Sequence, residues 1–196
     1  MRLFIAITFG EEIQDALIAL QERIKEGAAA GNFSRRENLH LTLAFLGETP
    51  ESQVPAIRGI IGDSGLSAGE GPLRLNLLRT GRFRHGGKEL WWIGPAEDDP
   101  GLPRLLALRE RLAAGLEREG IGFDRRPFRA HITLGRDIRG IPPDRAFQPG
   151  PMPEGIPFEA GCLSLMKSEH SGGLLVYTGL FGIKIGEEKT PCKPVP

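Results

Sequence analysis

Two short segments of the chain each place a histidine and a threonine two residues apart among aliphatic residues. The first contains His40 and Thr42, and the second contains His131 and Thr133, so the pattern His-x-Thr-Leu occurs twice. Packing of a core does not require an imidazole and a hydroxyl at the same spacing in two strands that are 131 − 40 = 91 residues apart. The repetition therefore indicates two related halves that meet at one site.

The first segment, residues 38–47, is predicted to be a strand with one buried face and one face that carries chemistry. Side chains on a strand point alternately to opposite faces. Strict alternation assigns Leu39, Leu41, Leu43 and Phe45 to the core face, and His40, Thr42, Ala44 and Leu46 to the other face.

Two facing histidines suit in-line displacement at phosphorus, where the attacking and the leaving oxygen lie on opposite sides of the phosphate. An imidazole has an ordinary pKa near 6.5, so one histidine can accept a proton while the other donates one. The hydroxyls of Thr42 and Thr133 can donate hydrogen bonds to the non-bridging phosphate oxygens. The motifs alone leave open which histidine is the acid.

A hydrolytic metal site is the alternative, since histidine is the commonest ligand of transition metals. Such a site needs at least a third ligand at a suitable spacing. Neither motif carries another histidine, a cysteine or a carboxylate nearby on its histidine face, so we expect neither a metal nor any other cofactor. Activity that survives a chelator would distinguish the two mechanisms.

The two motifs, with their flanking residues, resemble those of the two-histidine (2H) phosphoesterases. Within that superfamily, the sequence is similar to the RNA 2′,3′-cyclic phosphodiesterases, also called 2′-5′ RNA ligase-like proteins. The matching segments are Glu37–Gly47 and Pro127–Arg136, and further similarity lies in Met1–Ile7, Gly81–Phe83, Leu90–Trp91 and a closing hairpin with Ser168, Gly173 and Tyr177.

The resemblance implies an enzyme that hydrolyses the 2′,3′-cyclic phosphate of RNA or oligonucleotide ends to a 2′-phosphate, with 2′-5′ RNA ligation as a possible reverse reaction. It implies that His40 is the proton donor to the leaving 3′ oxygen and that His131 is the proton acceptor from water. It also implies that Thr42, Thr133 and Arg136 bind the substrate. The alternative is a non-catalytic nucleotide-binding module or adaptor on the same fold.

Arg136 poses a conflict for this implied role. It follows His131 by five residues, which in an unbroken strand places it on the opposite face. A bulge or strand end at Gly135 would remove the conflict, because glycine permits such a break. Otherwise Arg136 is a surface arginine at a strand end.

A second feature of interest is the basic turn, residues 79–88, predicted between strands Leu73–Leu78 and Glu89–Ile93. One interpretation is contact with RNA phosphates, with Phe83 as a platform for a base. The other is a solvated hairpin tip. Trp91 and Trp92 are adjacent and fall on opposite faces of the second strand, which predicts one in the core and one beside the site.

The remaining chain is predicted to alternate strands and helices around these motifs. The family resemblance implies an α+β, bilobal, pseudo-twofold fold with two antiparallel-rich sheets flanked by helices around a central cleft. We expect one catalytic domain over residues 1–186 and a flexible tail over 187–196. The predicted elements are a strand at Arg2–Thr8, helices at Glu11–Glu26, Pro50–Ile60 and Leu102–Glu119, a loop at Gly140–Pro157, and a hairpin of Phe158–Lys167 with Leu174–Ile185.

Composition limits the kinds of protein that this chain can be. The chain has 196 residues, 40% of them hydrophobic, and 25 basic against 25 acidic residues, which excludes a protein that coats nucleic acid by bulk charge. No apolar run is long enough to span a bilayer and no leader is recognisable, so we expect a cytoplasmic monomer without membrane contact. Cys162 and Cys192 form no metal spacing and no disulfide framework, and we interpret both as incidental.

Overall fold

The structure is a computed structural model that describes residues 1–65, 71–85, 88–141, 151–186 and 190–192. Within these residues the chain forms nine strands and three α-helices. The strands are β1 (Arg2–Thr8), β2 (Ala30–Phe33), β3 (His40–Glu48), β4 (Leu73–His85), β5 (Lys88–Pro95), β6 (Ile132–Arg139), β7 (Pro151–Ala160), β8 (Cys162–Ser171) and β9 (Leu174–Lys184). The helices are α1 (Glu11–Lys25), α2 (Val54–Gly65) and α3 (Leu102–Arg118).

The strands form two four-stranded antiparallel halves that share one junction. The strand order is β7-β4-β5-β6-β3-β1-β8-β9, with β2 added against β6. The first half is therefore β3-β1-β8-β9 and the second is β6-β5-β4-β7, and the halves join where Leu41 of β3 pairs with Ile132 of β6. The predicted α+β fold is confirmed, and the two predicted sheets are continuous through this single pair.

The core lies on one side of the sheet, beneath the helices. Leu41 and Ile132 at the junction are fully buried, and the same hydrophobic cluster includes Leu17 of α1, Ile57 of α2 and Leu108 of α3. Burying an aliphatic side chain of this size contributes about 1.5–3 kcal/mol. Because the helices cover one face, the motif residues that alternate with the core positions are left on the other face.

Two of the predicted helices, α1 and α3, are confirmed to within one residue at each end. The helix predicted from Pro50 instead begins at Val54, after a short 3-10 turn over Glu51–Gln53. Pro50 itself is extended, and the hydroxyl of Thr49 donates back to the Gly47 carbonyl instead of capping the helix. In the described part of the chain, none of the helices is long and apolar enough to cross a lipid bilayer.

The second half contains more strand than the sequence predicted. β4 continues to His85, so most of the residues interpreted as a basic turn belong to a strand, and 86–87 lie outside the described residues. The segment predicted as a loop over 140–157 is strand from Pro151 onward, while 142–150 lie outside the description. β7 tolerates its prolines because it is the terminal strand of the sheet, where missing ladder donors cost little.

The closing hairpin is confirmed for β8 and β9, which turn over Gly172 and Gly173, both with positive φ. Its predicted first strand was wrong at one end. Phe158 pairs with Leu75 of β4 and so belongs to β7 in the second half, and the chain returns to the first half only at Cys162.

Cys162 and Cys192 form a disulfide, with Cα atoms 6.1 Å apart, which corrects the interpretation that both are incidental. The backbone N–H of Cys192 donates to the carbonyl of Gly182, and a Cβ at Gly182 would lie 2.7 Å from the sulfur of Cys162. Glycine there leaves room for the bond. Of the tail predicted to be flexible, 190–192 are thus held against β9, and the other tail residues lie outside the description.

Candidate active site

The two His-x-Thr motifs meet at the junction of the halves. β3 begins at His40, and β6 begins at Ile132, one residue after His131. Because Leu41 and Ile132 are paired and point into the core, the residues next to them in each motif point to the opposite face. Because β3 and β6 are antiparallel, Thr42 lies beside His131. The polar side chains of the two motifs therefore form one group.

Each motif histidine makes the same hydrogen bond to its own backbone. Nδ1 of His40 lies 2.8 Å from the carbonyl oxygen of Asn38, and Nδ1 of His131 lies 2.7 Å from that of Arg129. A carbonyl can only accept, so Nδ1 carries the proton in both neutral rings. Nε2 is therefore the atom that each histidine has available for proton transfer.

The site disfavours positive charge on both imidazoles in the absence of an anion. Burial lowers the pKa of His40 from 6.5 to about 4, and the nearby charges of His131 and Arg136 act in the same direction. The pKa of His131 is also lowered, chiefly by burial and then by Arg136, although its bond to the Arg129 carbonyl opposes the change. Arg136 thus acts electrostatically on both histidines.

Aromatic side chains form a wall around His40. The ring of Phe4 lies 4.9 Å from the imidazole and the ring of Tyr177 lies 5.1 Å from it, with the centroids of Phe4 and Tyr177 4.9 Å apart. Burial raises the pKa of the Tyr177 hydroxyl, against the opposing charges of Arg136 and Arg2. At neutral pH this hydroxyl is protonated and can donate a hydrogen bond into the site.

A corresponding wall stands beside His131. Phe83 lies edge-on to the imidazole at 5.0 Å and stacks on Trp92 at 5.3 Å. The predicted division of the two tryptophans is confirmed, because Trp91 is 1% exposed in the core and Trp92 lies on the motif face. The indole of Trp92 covers Gly81, where a Cβ would approach the ring to 2.2 Å.

A bulge in β6 places Arg136 on the face of His131. Thr133 pairs with Trp92, and Gly135 pairs with the adjacent Trp91. Leu134 therefore has no partner in β5 and is the extra residue of the bulge. Arg136 then pairs with Leu90, which shares a face with Trp92. The bulge expected at Gly135 is present, and in the described residues the Arg136 side chain has no ion pair.

β3 contains a bulge at the equivalent place, and this corrects the assignment of its faces. Thr42 pairs with Ala6, whereas Ala44 pairs with the adjacent Ile5, so Leu43 is the extra residue. Alternation therefore reverses after the motif. Ala44 and Leu46 turn into the core at 7% and 8% exposure, and Phe45, predicted to be buried, is 49% exposed on the face of His40.

Gln21 of α1 supports the bulge in β6. Its amide nitrogen donates to the carbonyl of Leu134 at 2.6 Å and to that of Ser34 at 2.9 Å, and its side chain is buried. The sequence analysis missed this residue. The available signal was a glutamine at an apolar position of the helix, since it follows Leu17 by four residues and precedes Ile24 by three.

The segments that precede the two histidines each contact a neighbouring strand closely. The amide of Asn38 donates to the Leu175 carbonyl of β9 at 3.0 Å, which ties the segment before His40 to the first half. On the other side, the Ala130 carbonyl packs against Gly94, where a Cβ would lie 2.4 Å from that oxygen. Only glycine allows the chain before His131 to approach β5 so closely.

The arginines of the predicted basic turn are engaged by carboxylates. Arg79 pairs with Glu97, and Arg82 and Arg84 both pair with Glu89. In the register of β4 with β5, Arg82 lies opposite Trp91, whose side chain points into the core. Arg82 is therefore on the face away from His131. These contacts favour an exposed, charge-balanced hairpin over a phosphate-binding turn.

Among the described residues, no group of three or more histidine, cysteine or carboxylate side chains is arranged to hold a metal ion. The hydroxyls of Thr42 and Thr133 have no side-chain hydrogen bond to any described residue, so both remain available to a ligand on the motif face.

Comparisons with known proteins agree with this geometry. A family model described as LigT like Phosphoesterase matches residues 7–87. The chain is 34% identical over 187 residues to the RNA 2′,3′-cyclic phosphodiesterase of Thermus thermophilus, which covers 92% of this chain and 88% of that protein. It is 33% identical over 139 residues to the Escherichia coli protein of the same name, covering 69% and 72% of the two chains.

Solved structures show the same fold. The crystal structure of TT0787 of Thermus thermophilus superposes with a TM-score of 0.75 at 30% identity, covering 96% of this chain and all of that one. Escherichia coli LigT complexed with 3′-AMP superposes with a TM-score of 0.73 at 27% identity, covering 95% and 98%. With identity of 34% across most of both chains, this protein belongs to the LigT-like phosphoesterases, the two-histidine family that includes the RNA 2′,3′-cyclic phosphodiesterases.

Proposed function

We propose that this protein is an RNA 2′,3′-cyclic phosphodiesterase that opens the cyclic phosphate at RNA or oligonucleotide ends to a 2′-phosphate. The observation that carries the proposal is the pairing of the two motifs at one junction, with Nδ1 of both histidines committed to a carbonyl and Nε2 left for proton transfer. The names of the relatives from Thermus thermophilus and Escherichia coli support the same reaction.

In the proposed mechanism, His131 Nε2 accepts a proton from water as the water oxygen forms a bond to phosphorus. The bond between phosphorus and the 3′ oxygen breaks, and His40 Nε2 donates a proton to that oxygen. The proton count balances, and a 2′-phosphomonoester remains. The hydroxyls of Thr42 and Thr133 and the guanidinium of Arg136 bind the non-bridging oxygens, where negative charge is concentrated.

The low pKa of His40 is compatible with its role as acid. Burial first, and then the charge of Arg136, disfavour its protonated form in the free protein. A bound phosphodiester brings a negative charge next to the ring, and an opposite charge within a few ångströms raises the pKa of an imidazole. We infer that His40 becomes protonated when the substrate binds, so the acid is formed where the phosphate is present.

The catalytic unit in this proposal is one chain, acting as a monomer, with residues 1–186 as a single domain. Both histidines come from the same polypeptide, and one hydrophobic cluster extends through both halves of the sheet. We also propose that the reaction needs no metal, because threonine hydroxyls and an arginine are placed to meet the phosphate charge. In 2′-5′ ligation of RNA ends, a 5′-hydroxyl would replace water as the nucleophile at the same phosphorus and the bond to the 3′ oxygen would again break. Hydrolysis dominates in water.

The test is incubation with an oligonucleotide that ends in a 2′,3′-cyclic phosphate, followed by identification of the product. We expect a 2′-phosphate end, and we expect His40→Ala and His131→Ala each to lower turnover by about 10²- to 10⁴-fold, the usual effect of losing a general acid or base. The two effects should not add fully, because the residues act as a unit. His170→Ala, at an exposed histidine of β8, is the matched control and should retain activity.

Other outcomes distinguish the alternatives. A 3′-phosphate product would contradict the assignment of the leaving oxygen. Normal turnover in either motif variant, with folding intact by circular dichroism, would rule out this acid-base mechanism. Tight binding of the oligonucleotide without any turnover by the wild-type protein would favour the nucleotide-binding module.

A further inference from the structure

The bulge in β3 exposes an aromatic side chain that the proposed reaction does not use. We propose that Phe45 and Arg2 bind the nucleotide that precedes the cyclic phosphate, with the base on Phe45 and its phosphate at Arg2. This inference rests on the proposed function and adds a second nucleotide subsite to it.

The exposure of Phe45 is a product of the local backbone. Without the extra residue Leu43, strict alternation would bury this ring in the core, as it buries Leu41. Instead the ring is 49% exposed, and the other large hydrophobic side chains exposed within the described residues are all leucines. An exposed aromatic face on the active side of a sheet is a surface on which a base can stack.

Phe45 is connected to the catalytic residues by a continuous row of aromatic rings. Its centroid lies 6.2 Å from that of Phe4, which in turn lies 4.9 Å from both His40 and Tyr177. The row begins at the imidazole and ends at the exposed ring. Phe4 is 2% exposed, so bases that leave the catalytic site over the first half would contact the outer rings of Tyr177 and Phe45.

Arg2 supplies the charge that such a chain requires. It is exposed and lies on the same face as Phe4, since the two residues are two apart on β1. Its charge acts on the Tyr177 hydroxyl, which shows that the guanidinium lies within electrostatic range of the aromatic row. Glu48 lies opposite Arg2 in the pairing of β1 with β3, but its carboxylate contacts the N-terminal amine, and no described residue forms an ion pair with Arg2.

The roles proposed for the two histidines determine which nucleotide of the substrate lies at Phe45. If His40 protonates the leaving 3′ oxygen, the ribose that carries this oxygen lies over the first half of the sheet. Phe45 follows His40 by five residues, on the order of 15 Å along the strand. The terminal nucleoside is then beside Tyr177, and the nucleotide before it reaches Phe45.

The aromatic rings beside His131 in the second half are less exposed than Phe45. Phe83 and Trp92 stack on each other, with ring planes 28° apart, and so cover part of one another. Arg82 and Arg84 are paired with Glu89, and Arg79 is paired with Glu97. An available cation and an exposed ring therefore coincide on the first half.

The experiment compares adenosine 2′,3′-cyclic phosphate with the dinucleotide ApA that ends in a 2′,3′-cyclic phosphate. Phe45→Ala should raise KM for the dinucleotide about tenfold, within the range for losing one base–aromatic stack, and leave the mononucleotide unchanged. Phe45→Trp should keep KM for the dinucleotide near the wild-type value. Arg2→Gln should raise KM for the dinucleotide alone and reduce its salt dependence, because only that substrate carries a second phosphate.

Leu106→Ala, at an exposed leucine of α3, is the matched control and should change neither substrate. If Phe45→Ala raised KM equally for both substrates, the assignment to the preceding nucleotide would be overturned. If it raised KM for neither substrate, the subsite itself would be overturned.

Calorimetry separates this proposal from the proposed function. In a His131→Ala background that leaves the dinucleotide intact, adding Phe45→Ala should weaken dinucleotide binding about tenfold and mononucleotide binding hardly at all. Equal dinucleotide affinity with and without Phe45 would overturn the subsite, whatever the turnover assay shows. Failure of the wild-type protein to hydrolyse either substrate would contradict only the hydrolase function.

Discussion

The bond from each Nδ1 to a carbonyl two residues earlier makes the two histidines chemically alike. In both rings the proton is held on Nδ1, so Nε2 is an acceptor in the neutral form and a donor in the charged form. Their roles as acid and base must therefore follow from where the substrate places its oxygens. A substrate with a changed leaving group can separate these roles.

A substrate in which sulfur replaces the bridging 3′ oxygen should need little help from an acid. Its leaving thiolate has a conjugate acid with a pKa near 8.5, far below that of an alcohol. We expect this substrate to recover much of the rate of His40→Ala and little of the rate of His131→Ala, since water must still lose a proton. Single-turnover rates with the oxygen and sulfur substrates measure this.

Recovery of His131→Ala instead would reverse the assigned roles. Recovery of neither variant would indicate that both histidines chiefly bind the phosphate. The exposed-histidine variant His170→Ala serves as the reference for both substrates.

The pKa of His40 also predicts how the stability of the free protein depends on pH. Its folded value, about 4, is below the unfolded value of 6.5, so the unfolded state binds more protons between these pH values. The free energy of unfolding should therefore fall as the pH decreases through this window, by on the order of 2–3 kcal/mol from this group. The lowered pKa of His131 acts in the same direction.

Urea unfolding at pH 7 and pH 4 tests this, with His40→Gln as the variant. The glutamine cannot be protonated, so the variant should lose less stability on acidification than the wild type. If the variant and the wild type lost the same free energy of unfolding between pH 7 and pH 4, burial of His40 would not lower its pKa.

At the scale of elements, the two bulges determine which side chains reach the motif face. Each follows its His-x-Thr pair by one residue, and each returns the fifth residue after the histidine to the histidine face. That residue is Phe45 in β3 and Arg136 in β6. The pseudo-twofold relation of the halves thus extends to the bulge that follows each motif, but this bulge presents a different side chain in each half. A second register shift, between Leu3 and Phe4, occurs in the pairing of β1 with β3 and has no counterpart between β5 and β6.

The buried amide of Gln21 should be needed for both the bulge in β6 and the position of Arg136. Gln21→Met keeps the volume but leaves the Ser34 carbonyl without this donor and removes one donor from the Leu134 carbonyl. We expect a loss of about 1–3 kcal/mol in stability, typical of a buried polar group left unpaired. We also expect KM for the cyclic phosphate to rise, because Arg136 is no longer held.

Gln14→Met provides the matched control, since Gln14 is also buried on α1 but has no side-chain hydrogen bond to a described residue. Urea unfolding and steady-state kinetics are measured for both variants. A Gln21→Met protein with normal KM would show that the bulge is stable without the amide.

At the scale of the whole molecule, the site exists only where the two halves meet. The first half contributes His40 and Thr42, the second contributes His131 and Thr133, and one strand pair joins them. In the proposed mechanism, side chains from both halves bind the phosphate. In this proposal, hydroxyl and guanidinium groups supply the positive potential that a metal ion supplies in metal-assisted reactions at phosphorus.

We therefore expect activity to persist after exhaustive chelation. The protein would be dialysed against EDTA, its metal content measured, and its turnover of the cyclic phosphate compared before and after. A rate unchanged within about twofold is expected, because no step of acid–base transfer between two imidazoles requires a metal. Loss of activity that only Zn²⁺ or Mn²⁺ restores would contradict this mechanism.

Local chemistry explains why much of this molecule can be predicted from its sequence. The repeated His-x-Thr pattern predicts one site from two halves, and apolar spacing predicts α1, α3 and β1. These features depend on residues close together in the chain, whose periodicity follows from the geometry of helix and strand. The family resemblance adds the bilobal arrangement and the reaction.

Other features are decided by contacts between distant segments, which no local pattern contains. Phe45 was assigned to the wrong face because a single extra residue in β3 reverses the alternation, and that residue is extra only in relation to β1. The proline-containing strand β7 exists because β4 offers an edge. Cys162 meets Cys192 because β9 pairs with β8 and residues 190–192 fold back on β9. The sequence alone determined the catalytic residue types and their common site, whereas tertiary pairing decided which neighbouring side chains face that site, because strand register is a property of two chain segments together.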